Sequence, residues 1–267
     1  MVRHALVTGG AGFIGAATVS SLIESGEQVV CVDNFNDYYN PGLKRKRIEL
    51  LGKKTNLKVI EIDIAETAAV NELINSVKPK KVIHLAAQAG IRQASIDPHS
   101  YGRTNLFGFL NVIEASAKSG VENFVFASTS SVYGSNTTTP FSESHTATHP
   151  VSLYSATKIA NEAIAHSYAA TYGLACTGLR FFTVYGPWGR PDMAPIKFAK
   201  SIIAGQKRGI LSGGGSIVGV EYDFTDEDRG NLEPFGINPI IKRRGIGVVI
   251  FGNQTAIFHN IKSAAND

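Results

Sequence analysis

Tyr154 and Lys158 stand four residues apart in LYSATKIA, within a segment of helical period, so both side chains fall on one helix face within reach of a common ligand. Such a pair suits proton transfer to and from an alcohol. A phenol with its ordinary pKa of about 10 is a poor base near neutrality, but a neighbouring ammonium favours the phenolate. Lys158 would supply that charge. The spacing alone is common on helices; it gains weight from ASTSSVYG at 127–134, a strand end rich in hydroxyls in the preceding unit. Thr129 there can hydrogen-bond the oxygen that Tyr154 deprotonates, whereas Ser130 and Ser131 read equally as capping or turn residues.

Oxidation of that alcohol needs a hydride acceptor, and the N-terminus offers a place for one. In ALVTGGAGFIGAATV an apolar run leads into Gly9, Gly12 and Gly15, with Phe13 and Ile14 opening a helix of small residues. Glycines so placed let the backbone turn tightly and approach a pyrophosphate at the helix N-terminus. The next strand, QVVCVDN, ends in Asp33, about 20 residues on, where a carboxylate can accept from an adenosine ribose hydroxyl. Strand, glycine turn, helix, strand and acid in this order predict a dinucleotide site. Asp33 repels a ribose phosphate and Asn34-Phe35 offers no adjacent arginine, so the cofactor is NAD in preference to NADP. Its cationic nicotinamide ring would be a second positive charge favouring the Tyr154 phenolate.

The elements that must position these residues alternate. Apolar runs HALVTG, QVVCVD, LKVIEID, KKVIHLAA, NFVFAST and ACTGLRFF are separated by segments of helical period such as 66–77, 98–118 and 152–172. That rhythm predicts an α/β fold, a Rossmann-like doubly wound parallel sheet with helices on both faces, and every motif named above falls outside the carboxyl ends of the strands, where such sheets bind ligands.

Composition narrows the class further. The chain has 267 residues, 43% hydrophobic and 18% charged, enough for a real core and unlike a disordered or fibrous protein. A net charge of +4 is mild and argues against a nucleic-acid partner. Its one dense basic run, LKRKR at 43–47, reads as a solvated helix face, with a phosphate-attracting patch as the alternative. Two cysteines, Cys31 and Cys176, are too few for a disulfide framework or metal site and point to a reducing, cytoplasmic compartment. A start that runs straight into a strand, and no apolar run approaching the ~18 residues of a membrane span, predict neither signal peptide nor anchor.

With TGGAGFIG, DNFNDYYNPGLKRKRIELL, HLAAQAGIRQASIDPHSY, NLFGFLNVIEA, ASTSSVYG, YSATKIANE and LRFFTVYGPWGRPDMA in view, the chain resembles the extended short-chain dehydrogenase/reductases, most closely the UDP-glucuronate 4-epimerases, from residue 2 to about 200. The resemblance implies NAD contacts from Asp63 and Ile64 near the adenine, from Leu85, Ala86, Ala87 and Gln88 along the pyrophosphate and ribose, and from Asn105, Phe181 and Phe182. It implies that Arg92, Thr183 and Arg190 join Thr129, Ser130, Ser131 and Tyr154 in facing a UDP-sugar, and it allows a homodimer. The implied reaction is redox-neutral: the sugar C4 hydroxyl is oxidised and then reduced from its other face. Related dehydratases carry Asp-Glu after Thr129 and the decarboxylating enzymes an acid one place later. This chain has Ser130-Ser131, which fits a simple epimerase, and hydroxyls with Arg190 suit a uronate carboxylate. Arg190 reads equally as a capping or phosphate-facing arginine.

The resemblance divides the chain into an NAD-binding domain over 1–190 and an incomplete substrate domain over 191–267. From about 206 the tail departs from the pattern. VEYDFTDEDRG at 220–230 has acids where aromatic and aliphatic residues should follow Thr225, and GVVIFGN at 247–253 could imitate a missing final strand. GVEYDFTDEDRGNLEPFGINPIIKRRGIGVVIFGNQTA instead resembles a segment of contractile phage tail sheath proteins, which implies a chimera and allows self-assembly through the tail. SGGGS at 212–216 reads as a flexible linker. Without an arginine for the diphosphate, the expectation is cofactor binding with weak epimerisation.

Overall fold

The computed structural model of the chain describes residues 4–136, 138, 140–193, 196–197 and 257–261. Residues 1–184 with 248–267 form one compact unit, and 185–247 a second. The first unit carries the sheet.

Strands β1 (His4–Thr8), β2 (Gln28–Asp33), β3 (Leu57–Glu61), β4 (Lys81–His84), β5 (Asn123–Thr129) and β6 (Cys176–Phe181) run parallel in the order β3-β2-β1-β4-β5-β6. The central strands β1 and β2 are buried almost throughout, which is why they read as continuous apolar runs and not as alternating ones. Strand order reverses between β1 and β4, so a crevice opens at their carboxyl ends. A seventh strand, β7 (Ile257–Ile261), pairs antiparallel with β6, Cys176 opposite Ile261 and Arg180 opposite Ile257. The expected candidate for a last strand, 247–253, lies outside the described residues, and the strand observed follows it.

Helices cover both faces. On one, α1 (Phe13–Glu24) packs Val19 and Ile23 against Val7, Val29 and Cys31, with Ile48 and Leu51 of α2 (Pro41–Leu51) at the margin. On the other, Val70, Leu73 and Ile74 of α3 (Thr67–Val77), Phe109, Val112 and Ile113 of α6 (Phe109–Lys118), and Ala165 and Ala169 of α7 (Leu153–Tyr172) meet Leu6, Val30, Val82, Phe124 and Phe126. Local chemistry starts and stops these helices where tertiary packing needs them. Asn40 accepts from Gly42 N at 2.8 Å with Pro41 in the first turn of α2, a Ser152–Ser155 capping box opens α7, and Gly173 in the left-handed conformation closes it.

Three expectations are corrected. The helical segment 98–118 is interrupted: α5 (Pro98–Tyr101) passes into a π-helical segment, Gly102–Gly108, before α6. Within it lies Asn105, whose buried side chain is tied to the loop after β4 and to α7 as described below. KKVIHLAA stops being a strand at His84, because the backbone of Leu85 and Ala86 bends over β1 to donate to Thr8 O at 3.0 Å and Thr8 Oγ1 at 3.4 Å. LKRKR is only half a solvated face. Arg45 and Lys46 are exposed, but Lys44 and Arg47 are buried, because α2 presses that side onto the end of β2 and the glycine turn.

Cys31 and Cys176 are free and buried, and burial pushes both thiols up to about 12, Asp33 adding to the effect at Cys31. No described helix is long and apolar enough to cross a membrane. The tail stretches 212–216 and 220–230, and all of the sheath-like segment, lie outside the described residues.

Candidate functional site

The glycine turn is shaped by backbone contact. Gly9 has φ +68°, and a Cβ there would come within 2.6 Å of Ala86 N. A Cβ on Gly15 would stand 2.0 Å from Gly9 O, and Gly12 N donates to that same oxygen at 3.0 Å. Gly12 is the N-cap of α1 and no side chain caps the helix, so the first-turn amides, those of Phe13 and Ile14 included, have no intrahelical partner. This cradle fits a pyrophosphate, which needs close backbone approach and a helix N-terminus. Gly15→Ala is therefore expected to weaken NAD binding roughly ten- to a hundredfold, the 1–3 kcal/mol of an overpacked contact. A calorimetric titration checks it, and unchanged affinity would remove the cradle from the site.

Asp33 ends β2 beside the turn. Its carboxylate accepts from Ala11 N at 3.2 Å, Phe35 N at 2.9 Å and Lys44 Nζ at 3.0 Å. Lys44 also donates to Asn36 Oδ1 at 2.9 Å, and Arg47 donates to Ala11 O at 3.2 Å and to Tyr39 Oη at 2.6 Å. Both cations lie near the Tyr39 ring. Sequence reasoning missed Lys44 and Arg47 as parts of this site; the one available signal was that a run of four cations in five residues must turn some of them inward when its helix docks. Asn34 accepts from Asn36 N at 3.2 Å, and Phe35 takes a left-handed φ of 47° with the Arg45 guanidinium 4.6 Å from its ring. Asp63 follows β3, accepting from Ala65 N at 2.9 Å and pairing with Arg103 at 3.2 Å. Buried Ile64 touches the π-helical segment, where a Cβ on Gly108 would lie 2.8 Å from it.

Across the crevice, Leu85–Gln88 leaves β4 under a polar network. Asn105 Oδ1 accepts from Gln88 N at 2.8 Å, while its amide donates to Gln88 O at 3.0 Å and Thr157 Oγ1 at 3.1 Å. With its amide turned so that nitrogen faces both carbonyls, Asn161 donates in turn to Asn105 O and Thr157 O, at 2.7 and 3.0 Å. Thr157 and Asn161 were also invisible in sequence, since buried polar positions on a helix carry no hydropathy signal of their own. These bonds satisfy polar groups exposed by the π-helical register and fix it to α7.

Tyr154 is half-buried at the start of α7, edge-on to Tyr101 with ring centroids 6.2 Å apart. Lys158, one turn on, is 1% exposed and donates to Ala127 O of β5 at 2.8 Å. Burial lowers its ammonium to about 8, opposed by the charge of Glu162. His84 Nδ1 lies 2.9 Å from Thr8 Oγ1, and burial, with the Lys158 charge second, lowers the imidazole to about 3, so His84 is neutral. Thr129 ends β5 and caps a short 3-10 turn, Ser130–Tyr133, accepting from Ser131 N at 3.2 Å and donating to Ser131 Oγ at 3.3 Å. Capping is thus one of its jobs. Phe182 follows β6 and stacks with Tyr133 and Phe141 at 6.5 and 6.2 Å, Phe181 is half-buried and Thr183 exposed.

The fold brings the glycine turn, Asp33, Leu85–Gln88, Asn105, Thr129, Tyr154 and Lys158 to the carboxyl ends of the strands. Arg92 is exposed on the short helix α4 (Ile91–Ile96). Arg190 lies in the second unit, where Asp192 grips its guanidinium bidentately at 3.0 and 2.9 Å. Among the described residues no cluster of His, Cys, Asp or Glu could hold a metal ion.

The pattern of the NAD dependent epimerase/dehydratase family matches residues 5–219, past the expected boundary near 206. Protein CapI of Staphylococcus aureus is 44% identical over 223 residues, 84% of this chain and 65% of that protein. UDP-glucuronate 4-epimerase 6 of Arabidopsis thaliana is 51% identical over 202 residues, 75% of this chain and 44% of that protein. Among solved structures, a UDP-glucuronic acid 4-epimerase from Bacillus cereus in complex with UDP-glucuronic acid and NAD superposes with a TM-score of 0.74 at 33% identity, over 79% of this chain and 67% of that one. The chain spans less than two thirds of the length of these two curated relatives.

Proposed function

Since the chain belongs to the NAD dependent epimerase/dehydratase family, we propose that it is an NAD-dependent 4-epimerase of a UDP-hexuronate, interconverting UDP-glucuronate and UDP-galacturonate. One observation carries the reading: Tyr154 and Lys158 lie one turn apart on α7, at the strand ends of a sheet whose first turn is a glycine cradle. Gly9, Gly12, Gly15, Phe13 and Ile14 would hold the pyrophosphate, Asp33 a ribose, and Asp63 and Ile64 the adenine end. Bound there, NAD supplies the hydride acceptor and donor for the sugar C4. Tyr154, as phenolate, takes the proton of the 4-hydroxyl as C4 is oxidised and returns it to the 4-keto sugar after the sugar has presented its other face. Lys158 stabilises that phenolate, and Thr129 hydrogen-bonds the reacting oxygen. Thr183, Ser130, Ser131, Arg92 and Arg190 are proposed around the sugar nucleotide.

The test is incubation with NAD and UDP-glucuronate, with chromatographic detection of UDP-galacturonate. Conversion is expected at less than about 1 s⁻¹, the low end of enzymatic rates, because the sequence offers no clear arginine for the diphosphate. Absence of product with intact NAD binding would reduce the chain to a cofactor-binding half. On assembly and location we propose a homodimer in the cytoplasm, the latter supported by two free, buried thiols. Self-assembly through the sheath-like tail rests on its Asn238-Pro239-Ile240 and Gly252-Asn253-Gln254-Thr255 stretches. Sedimentation over a concentration series tests both assemblies: a dimer plateaus, a polymer keeps growing.

A further inference from the structure

Tyr154, Lys158 and Glu162 form a row on α7 at steps of four residues, and only the first two belong to the family reading. The third is built in more firmly than either. Glu162 accepts a short hydrogen bond from Ser128 Oγ of β5. It also takes both arms of Arg180 of β6, Nε at 3.0 Å and Nη2 at 2.8 Å. Ser128 is adjacent to Thr129, and Arg180 immediately precedes Phe181. The Arg180 guanidinium lies 4.9 Å from the ring of Tyr133, which stacks on Phe141 at 4.6 Å. Arg180 Nη1 and Tyr133 Oη are buried outside those hydrogen bonds, and Tyr133 interacts favourably with the guanidinium. A buried ion pair is by itself weak support for stability, since apolar residues of similar volume often do as well. Something other than stability should account for it.

We propose that Glu162 is a positioning residue for the proton chemistry assigned above: clamped between β5 and β6, it holds a carboxylate one helical turn from Lys158 and fixes the strand ends that carry Thr129 and Phe181–Thr183. The proposal rests on the epimerase reading for the purpose of that chemistry. Its physics does not require turnover. Around Lys158 the described titratable and charged groups are neutral His84 of β4, Tyr154 with Tyr101 edge-on to it, and Glu162 with Arg180 and Tyr133 behind it. Glu162 is the carboxylate acting on Lys158; it works against burial, and the two together leave that amine at about 8. Removing the negative charge takes the amine lower still. Lys158 is then neutral over part of the range in which Tyr154 must ionise, and the phenolate loses its partner.

The experiment is ultraviolet titration of tyrosinate in the NAD-bound chain, with Tyr154 isolated as the difference between each protein and its Tyr154→Phe counterpart. In Glu162→Gln the Tyr154 ionisation is expected to move to higher pH by up to about one unit, the size of effect expected as the ammonium one helical turn from the phenol loses its charge. Glu162→Asp, which keeps the charge, is expected to move it back toward the unaltered protein. Glu162→Gln combined with Arg180→Met removes the clamp without leaving a buried unpaired cation, so it supplies a folded protein if the single variant does not fold; the shift should keep its direction but be smaller, because the opposing Arg180 charge goes with it. A Tyr154 titration unmoved in a folded Glu162→Gln or double variant, or a shift that Glu162→Asp does not reverse, would overturn the proposal and leave Glu162 a purely structural ligand of Arg180. Because no sugar nucleotide is consumed, a chain that fails to epimerise still gives this reading.

Discussion

Tyr154→Phe is expected to lower the interconversion of UDP-glucuronate and UDP-galacturonate by roughly 10²–10⁴-fold, the usual worth of a positioned general acid–base group, while leaving NAD affinity nearly unchanged. The ring stays, so its edge contact with Tyr101 and the packing at the start of α7 survive. What goes is the proposed base for the 4-hydroxyl. The loss should fall on kcat and kcat/KM together, because the proton moves only on the way to and from the ketone. Lys158→Met is the companion: it keeps a chain of similar length in a site 1% exposed but removes the charge, so the acid limb of the pH–rate profile moves to higher pH. Thr129→Val should be milder in turnover, although it also removes the cap of the 3-10 turn. Retained turnover in Tyr154→Phe would place the base elsewhere.

Asp33→Ala is expected to cost more than the ribose hydrogen bond. In the fold it would leave Lys44 buried without its carboxylate and strand the amides of Ala11 and Phe35. Breaking one side of a buried pair typically costs about 3–5 kcal/mol, so the midpoint of thermal unfolding should drop clearly even without cofactor. NAD binding should weaken further, by the roughly 1.5–3 kcal/mol of a hydrogen bond to a charged group. Combining Asp33→Ala with Lys44→Met separates the two effects: stability recovers in part and NAD affinity does not. If Asp33→Ala unfolds at the same temperature as the unaltered chain, the buried pair contributes nothing.

The strands and the glycine turn were legible in the sequence for a simple reason. Parallel strands buried on both faces become unbroken apolar runs, and QVVCVD and NFVFAST coincide with β2 and β5 to the residue. Legibility failed where a polar side chain answers to a distant element. The helix expected over 98–118 passes into a π-helical register in which Asn105 is held by Gln88, in the loop after β4, and by Thr157 of α7. Nothing in the local periodicity of GRTNLFG announces that. Lys44 and Arg47 look solvated in a run of cations, and only docking of α2 against Asp33 and Ala11 shows which members point inward. Glu162 escaped notice because a lone acid on a helix usually faces solvent, and its partners Ser128 and Arg180 sit on two different strands.

The pairing of β6 with β7 also sets an order of events during synthesis. Five parallel pairings can form as soon as residue 181 has emerged, but the partner of β6 arrives only from residue 257 onward. Until then the nascent sheet presents the bare rim of Cys176–Phe181, a template for pairing with another chain. Joining segments so far apart in sequence is slow, and slow closure of a hydrophobic sheet is when aggregation competes with folding. Ribosome-bound intermediates stalled between these two strands should therefore be the species that most need a chaperone.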